Sequence, residues 1–77
     1  MTLKVISSQE IVYEGQAKSV TLPGEKGLFT VLDHHASLIS TLVKGVISFT
    51  TPEGSRDIDI EEGIVDVDNN VVSVCIY

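Results

Sequence analysis

The strongest constraint on the fold is a two-residue alternation of apolar and polar side chains that recurs in short segments along the chain. Residues 56–60 read RDIDI, and residues 64–68 read IVDVD. Successive side chains of a β-strand point to opposite faces of a sheet, so each such segment predicts a strand with one buried face. No segment shows the capped, 3.6-residue apolar stripe that is typical of a helix.

Residues that favour turns separate these segments at intervals of about 8–10 residues. Pro23-Gly24 ends one segment, TPEG at 51–54 separates two others, and DNN at 68–70 predicts a tight hairpin. The predicted strands cover residues 3–7, 10–14, 17–22, 28–32, 37–43, 46–51, 56–60, 64–68 and 71–77. This spacing is typical of a β-sandwich or barrel. We predict an all-β fold, a small antiparallel β-sandwich of about 8–10 short strands, as a single domain over residues 1–77.

The charge and the apolar content exclude several classes of partner. Eleven acidic residues against five scattered basic ones give a net charge of −6, whereas nucleic-acid binding needs clustered Lys and Arg. The same sign opposes attraction to an anionic lipid surface. No apolar run approaches the roughly 20 residues that span a bilayer, and the N-terminal segment lacks the features of a signal peptide. We therefore expect a cytoplasmic chain that meets a membrane only through a partner.

The single cysteine, Cys75, lies in the apolar run VVSVCIY. A free cysteine in such a run usually packs as a small hydrophobic residue, so we predict that Cys75 is part of the core.

Residues 22–45 carry more large apolar side chains than a thin two-layer core can cover. Leu28, Leu32, Ile39 and Val43 compete for that core with the remaining apolar residues of the same stretch. Surplus apolar surface usually marks a protein–protein interface, so this stretch is predicted to be a docking surface.

Two patterns could indicate other chemistry. Asp33-His34-His35 is the one cluster that suggests a metal ligand set, although adjacent strand residues point apart and a shape-fixing corner or a partner contact is favoured. The acidic pairs at 57/59 and 66/68 are favoured as solvated strand faces over acid–base or calcium sites. Neither a phosphate-binding loop nor a nucleophile elbow is present. We therefore predict no catalytic residue, no cofactor and no resident metal.

A lipoyl- or biotinyl-type carrier domain is an alternative of similar size, acidity and β content. Such a domain presents a modified lysine at a hairpin tip, and Lys44 before Gly45 is the candidate. Its flanking residues lack the carrier signature, which disfavours this alternative.

Three landmarks in order make the chain resemble the β-sandwich domain of the epsilon subunit of F-type ATP synthase. The first is the opening pattern LKVISSQEIVYEG, and the second is Gly24-x-x-Gly27 followed by an apolar strand and HASL at 35–38. The third is GIVDV at 63–67 followed by NNV at 69–71. The resemblance covers the whole chain.

The resemblance implies a non-catalytic rotor subunit of a proton-translocating synthase, peripheral at the cytoplasmic face of the cell inner membrane, that links the gamma subunit to the membrane c-ring. The residues implied to face the c-ring are Glu25, Lys26, Gly27, Leu28, His35 and Ala36. Those implied to face gamma are Ser37, Leu38, Ile39, Ser40, Thr41 and Val43. Family members typically continue into a two-helix C-terminal domain that restrains ATP hydrolysis. These 77 residues do not include it. If they are the full natural length, we expect coupling without that inhibition; if they are part of a longer protein, the inhibitory domain lies outside them.

Overall fold

The computed structural model describes residues 1–77 and contains nine β-strands and no helix. The strands are β1 (Thr2–Ile6), β2 (Ile11–Gln16), β3 (Ser19–Gly24), β4 (Gly27–Leu32), β5 (Leu38–Leu42), β6 (Gly45–Thr51), β7 (Gly54–Ile60), β8 (Gly63–Asp68) and β9 (Val71–Ile76). The all-β prediction is confirmed, and each predicted segment corresponds to one strand. No helix of the fold has the length and apolar character needed to span a membrane.

The strands form a curled sheet whose two halves enclose one core. One half has the order β2-β1-β9-β8-β5, and the other has the order β4-β3-β6-β7. A single residue pair, Gly24 with Leu42, joins the halves where β3 meets β5. This narrow link lets the sheet fold over on itself, so that fifteen buried hydrophobic residues from both halves form one cluster.

Seven of the eight strand pairs are antiparallel, as predicted, and β1 with β9 is the exception. Strands joined by a tight turn must run antiparallel, whereas β1 and β9 are separated by almost the whole chain. No turn therefore constrains their direction, and they pair in parallel from Thr2 with Val71 to Ile6 with Cys75.

The two-residue alternation places the core as the sequence predicts. In β8, Val65 and Val67 are buried, while the aspartates between and after them are exposed. In β6, Ile47 and Phe49 point inward, and the Phe49 ring lies 4.7 Å from the ring of Tyr13. Burial of these side chains contributes about 1.5–3 kcal/mol each to folding.

Two predicted turns have the expected backbone geometry. Asn69 and Asn70 both adopt positive φ angles, 49° and 62°, as a two-residue type I′ hairpin requires. Gly54 has a φ of 131° at the end of the TPEG turn, a conformation that residues with a Cβ rarely adopt.

The prediction that Pro23-Gly24 ends a strand is wrong, because β3 continues through Gly24 and the chain reverses at Glu25-Lys26. Pro23 pairs with Leu28, next to the hydrogen-bonded closing pair of the hairpin, Gly24 with Gly27. In an antiparallel ladder the intervening pair makes no hydrogen bonds to each other, so the missing N–H of proline is not needed towards β4. The Pro23 carbonyl instead accepts a hydrogen bond from the Val43 N–H, at 2.9 Å.

The prediction that Cys75 is a core residue is also wrong, because the side chain is exposed. Val72 and Val74 take the inward positions of β9, so the alternation turns Ser73 and Cys75 outward. Because most residues of this segment are apolar, its sequence does not show which of the side chains point inward.

Candidate functional site

Strand β5 is the centre of the candidate site. Leu42 is buried in the core, whereas Ile39 on the opposite face is 74% exposed. Pairing with β8, from Leu38 with Val67 to Leu42 with Gly63, fixes the strand so that Ile39 projects outward. A large apolar side chain is thus presented to solvent from a backbone that hydrogen bonds hold in place.

A groove lies between β5 and the turn that joins β3 to β4. Leu28, which is 73% exposed, lines this groove together with Ile39, and its volume is about 480 Å³. Gly24 also lines it, and a Cβ there would lie 2.8 Å from the Phe29 ring and 2.9 Å from the Gly27 carbonyl oxygen. The absence of a side chain at Gly24 therefore permits the close packing of the turn against the Phe29 ring.

A second cleft adjoins the first at Thr41 and has a volume of about 400 Å³. Its exposed apolar residues are Val43, Ile64 and Tyr77, and Lys44, Glu61 and Glu62 lie at its rim. The sequence interpretation did not select Ile64 or Tyr77. The alternation in β8 could have identified Ile64 as exposed, because this residue lies on the same outward face as Asp66 and Asp68.

We use the name β5 surface for the exposed apolar residues of these two clefts. They are Leu28, Ile39, Val43, Ile64 and Tyr77. The other exposed large hydrophobic residues, Ile11, Leu32, Val46 and Val71, do not line either cleft. The exposure of Leu28, Leu32, Ile39 and Val43 confirms that the central stretch has more apolar side chains than the core covers.

The Asp33-His34-His35 corner lies between β4 and β5 in the chain and is fixed by polar contacts. Asp33 Oδ1 accepts a hydrogen bond of 2.6 Å from the terminal ammonium of Met1, which is buried. His34 has a φ of 63°, and its backbone N–H donates to Asn70 Oδ1 at 2.8 Å. The corner is therefore tied both to the N-terminus and to the β8–β9 hairpin.

The structure does not bring three potential metal ligands together at this corner. Asp33 is engaged by the ammonium, and His35 Nδ1 lies 2.7 Å from the Ala36 carbonyl oxygen. No group of three or more His, Cys, Asp or Glu side chains in the structure is arranged to hold a metal ion. The shape-fixing interpretation of this corner agrees with its contacts.

The hydrogen bond and the charge of the Met1 ammonium lower the pKa of Asp33 below its usual value of 3.8, with smaller contributions from His34 and Asn70. A carboxyl whose pKa is lower in the folded state stabilises the fold above its unfolded pKa, and this stabilisation is lost as the pH falls through the folded pKa. We expect Asp33→Asn to lower the melting temperature at neutral pH. The difference from the wild type should begin to narrow as the pH falls below about 4, the ordinary carboxyl pKa, and should close only below the lowered pKa of the folded state.

Circular dichroism melts from neutral to acidic pH, on chains that begin at Met1, measure this effect. Asp59→Asn is the matched control, because Asp59 is exposed and makes no ion pair. A deficit of Asp33→Asn that stays constant at every pH would show that the ionic contact contributes nothing.

The structure separates the residues implied to face the c-ring into two groups. Glu25, Lys26, Gly27 and Leu28 line the groove beside β5. His35 and Ala36 line a different cleft, with Ser37 and the Asn69-Asn70 turn. Ser37, Leu38 and Ile39 line a shallow cleft between these two places.

The residues implied to face gamma follow β5 but do not all point the same way. Ile39, Thr41 and Val43 share the outward face, whereas Leu38 and Ser40 are half-buried towards the other side. Ile39 and Val43 are thus the members of this set that present apolar surface.

The fold is an all-β sandwich whose most distinctive surface is a set of partly apolar clefts. Residues 1–76 match the family model of the ATP synthase Delta/Epsilon chain, beta-sandwich domain. The chain therefore belongs to this family, which confirms the resemblance stated from its sequence landmarks.

Named relatives agree with this assignment. The chain is 36% identical over 74 residues to the ATP synthase epsilon chain of Leptospira borgpetersenii, covering 96% of this chain and 58% of the relative. It is 42% identical over 71 residues to that of Nitratiruptor sp., covering 91% and 55%. The chain thus spans somewhat more than half the length of these curated relatives.

Solved structures show the same fold. A chain of the Euglena gracilis mitochondrial ATP synthase, from a structure of OSCP/F1/c-ring, superposes with a TM-score of 0.89 at 19% identity, over 96% of this chain and 48% of that one. A chain of the Tetrahymena thermophila central stalk and c-ring superposes with a TM-score of 0.83 at 11% identity, over 97% and 61%.

The carrier alternative fails on geometry as well as on family. Lys44 lies between β5 and β6, and these two strands do not pair with each other. The lysine is therefore not at a hairpin tip, which is where a carrier domain presents its modified residue.

Proposed function

We propose that this chain is a non-catalytic rotor subunit of a proton-translocating F-type ATP synthase, peripheral at the cytoplasmic face of the inner membrane. It links the gamma subunit to the c-ring. Membership of the Delta/Epsilon family and the central-stalk and c-ring context of the similar structures support this proposal. The net charge of −6 favours attachment through proteins over direct contact with anionic lipid.

The gamma subunit binds the residues of the β5 surface other than Leu28 in this proposal. The observation that supports it most directly is that Ile39 is about three-quarters exposed on a strand fixed by hydrogen bonds to β8. Apolar side chains held in this way lose little conformational entropy on binding and gain from removal of water. Ser37, Thr41 and Val43 complete the gamma contact, and Ile64 and Tyr77 extend it, whereas Leu38 and Ser40 of the implied set are half-buried on the other side of β5.

The test is co-purification of the chain with its matching gamma subunit, followed by size-exclusion chromatography at moderate salt. A stable one-to-one complex is the expected result. Two separate peaks from two folded proteins would contradict the assignment.

The c-ring meets the two polar ends of the site. One is the turn formed by Glu25, Lys26, Gly27 and Leu28, and the other is the corner at His35-Ala36. Exposed, mainly polar tips suit the polar loops of a membrane-embedded ring, because they need not be desolvated completely.

We expect cysteines at Leu28 and at His35 to cross-link to a cysteine in the polar loop of the ring in the assembled complex. Both substitutions are made with Cys75→Ser, since the native thiol is exposed. Ser55→Cys on β7 is the control, because Ser55 is exposed and lines neither cleft. Cross-linking at one tip alone would assign the ring contact to that tip. Equal cross-linking of all three variants would contradict a specific ring contact at either tip.

A further inference from the structure

Three strands of the fold have a neighbour on one side only: β2, β4 and β7. An edge strand leaves backbone N–H and C=O groups free to pair with another chain, and proteins usually protect such edges with charges, bulges or cover. These three edges differ in that protection.

Two of the edges are protected. Strand β2 carries Glu14, and its pairing with β1 is interrupted by a register shift after Val5. Strand β7 reads GSRDIDI and carries three charges, and its Arg56 guanidinium lies 5.2 Å from the centre of the Tyr13 ring of β2. Both edges are therefore poor templates for a further strand.

Strand β4 has no such protection. It reads GLFTVL, without a charged residue or proline, and Leu28 and Leu32 are 73% and 57% exposed. Uncharged segments of this kind, rich in β-forming residues, readily add a strand. In a chain of net charge −6, this strip is the edge at which two copies can approach without facing each other's charges.

The hairpin geometry determines which backbone groups of β4 are free. Gly24 and Gly27 close a two-residue turn and form a hydrogen-bonded pair, so the hydrogen-bonded pairs continue with Phe29 and Val31 of β4. The backbone groups of Leu28, Thr30 and Leu32 consequently point away from β3, although the Leu32 carbonyl oxygen already accepts a hydrogen bond from the His35 N–H at 3.2 Å. A second strand pairs with the free groups of these three residues.

We propose that two copies of this chain associate through their β4 edges as an antiparallel pair with Thr30 opposite Thr30 of the second copy. An antiparallel partner must also present residues 28, 30 and 32, and pairing centred on Thr30 uses all three of them in each copy. Leu28 of each copy then lies opposite Leu32 of the other, so the two exposed leucines cover each other twice.

Charge complementarity at the ends of β4 supports the same register. Lys26 lies before the strand and forms no ion pair within the chain, and Asp33 lies after it. Centring on Thr30 brings Lys26 of each copy to the end that carries Asp33 of the other.

Six residues a side are fewer than the roughly 20–30 of a standard interface, so the association is weak and depends on concentration. Sedimentation equilibrium of the isolated chain over a wide concentration range is the experiment. The average mass is expected to rise from 8.3 kDa towards that of two chains. A monomer at every concentration would overturn the proposal.

Thr30→Lys places two like charges opposite each other on the two-fold axis, so the concentration needed for association should rise about tenfold or more. Ser55→Lys, with the same change on the protected β7 edge, should associate as the wild type does. Equal weakening by both variants would reject the β4 edge.

A cysteine variant tests the register if Thr30→Lys does not fold. Opposed Cα atoms of a hydrogen-bonded pair lie about 5.5 Å apart, within disulfide range. Oxidation should link two copies of Thr30→Cys in the Cys75→Ser background, and should leave Ser55→Cys in that background monomeric. Absence of a Thr30 disulfide at concentrations where the wild type is dimeric would overturn the proposed register.

Discussion

Ile39→Glu is expected to abolish stable binding of the gamma subunit while leaving the melting temperature of the isolated domain unchanged. Ile39 is 74% exposed, so a carboxylate there stays in water when the chain is alone. In the complex the charge would be buried against an apolar surface without a partner, which costs about 3–5 kcal/mol. Because 1.4 kcal/mol is a factor of ten, the affinity should fall by about a hundredfold or more.

Isothermal titration or size exclusion with gamma measures this loss, together with a thermal melt of each variant alone. Ile11→Glu is the matched control, since Ile11 is also an exposed isoleucine, 57% accessible, but lies on β2 away from the β5 surface. Equal loss from both variants would indicate a non-specific charge effect. Unfolding of Ile39→Glu would place the residue in the core.

Phe49→Ala should largely unfold the domain. The side chain is 2% exposed, is the largest fully buried residue and contacts the ring of Tyr13. Its removal leaves a cavity that costs about 3–5 kcal/mol. Small domains lie at the low end of the usual 5–15 kcal/mol of stability, so little stability would remain.

Urea unfolding followed by circular dichroism measures this effect, with Tyr77→Ala as the control. Tyr77 is 68% exposed, so its truncation should change stability by less than about 0.5 kcal/mol. An unchanged urea midpoint for Phe49→Ala would show that the two halves of the sheet do not depend on this ring.

The fold was predictable because local patterns specify it. Alternation fixes which residues of β6 and β8 point inward, and the Asn69-Asn70 turn has the residues that its positive φ angles require. Pro23 misled the prediction, because its effect depends on the pairing partner and not on the residue alone. The prediction for Cys75 was wrong because it relied on the apolar composition of the segment and not on which face of the strand the residue occupies.

The candidate site was only partly predictable, for a related reason. Surplus apolar residues can be counted in a sequence, and Leu28, Ile39 and Val43 were found in that way. Ile64 and Tyr77 join the same surface through the β5–β8 pairing and the position of the chain end beside Glu62. Such long-range adjacency is not a local pattern, so counting within one stretch does not reveal it.

The parallel pairing of β1 with β9 has a consequence for how this domain forms. The first strand completes its ladder only when the last one arrives, so residues 71–76 must leave the ribosome before the core can close. Contacts between such distant residues carry a large loop-closure entropy, and domains rich in them fold in milliseconds to seconds. During that interval the uncharged β4 segment remains accessible, and chaperone capture of the nascent chain should centre on it.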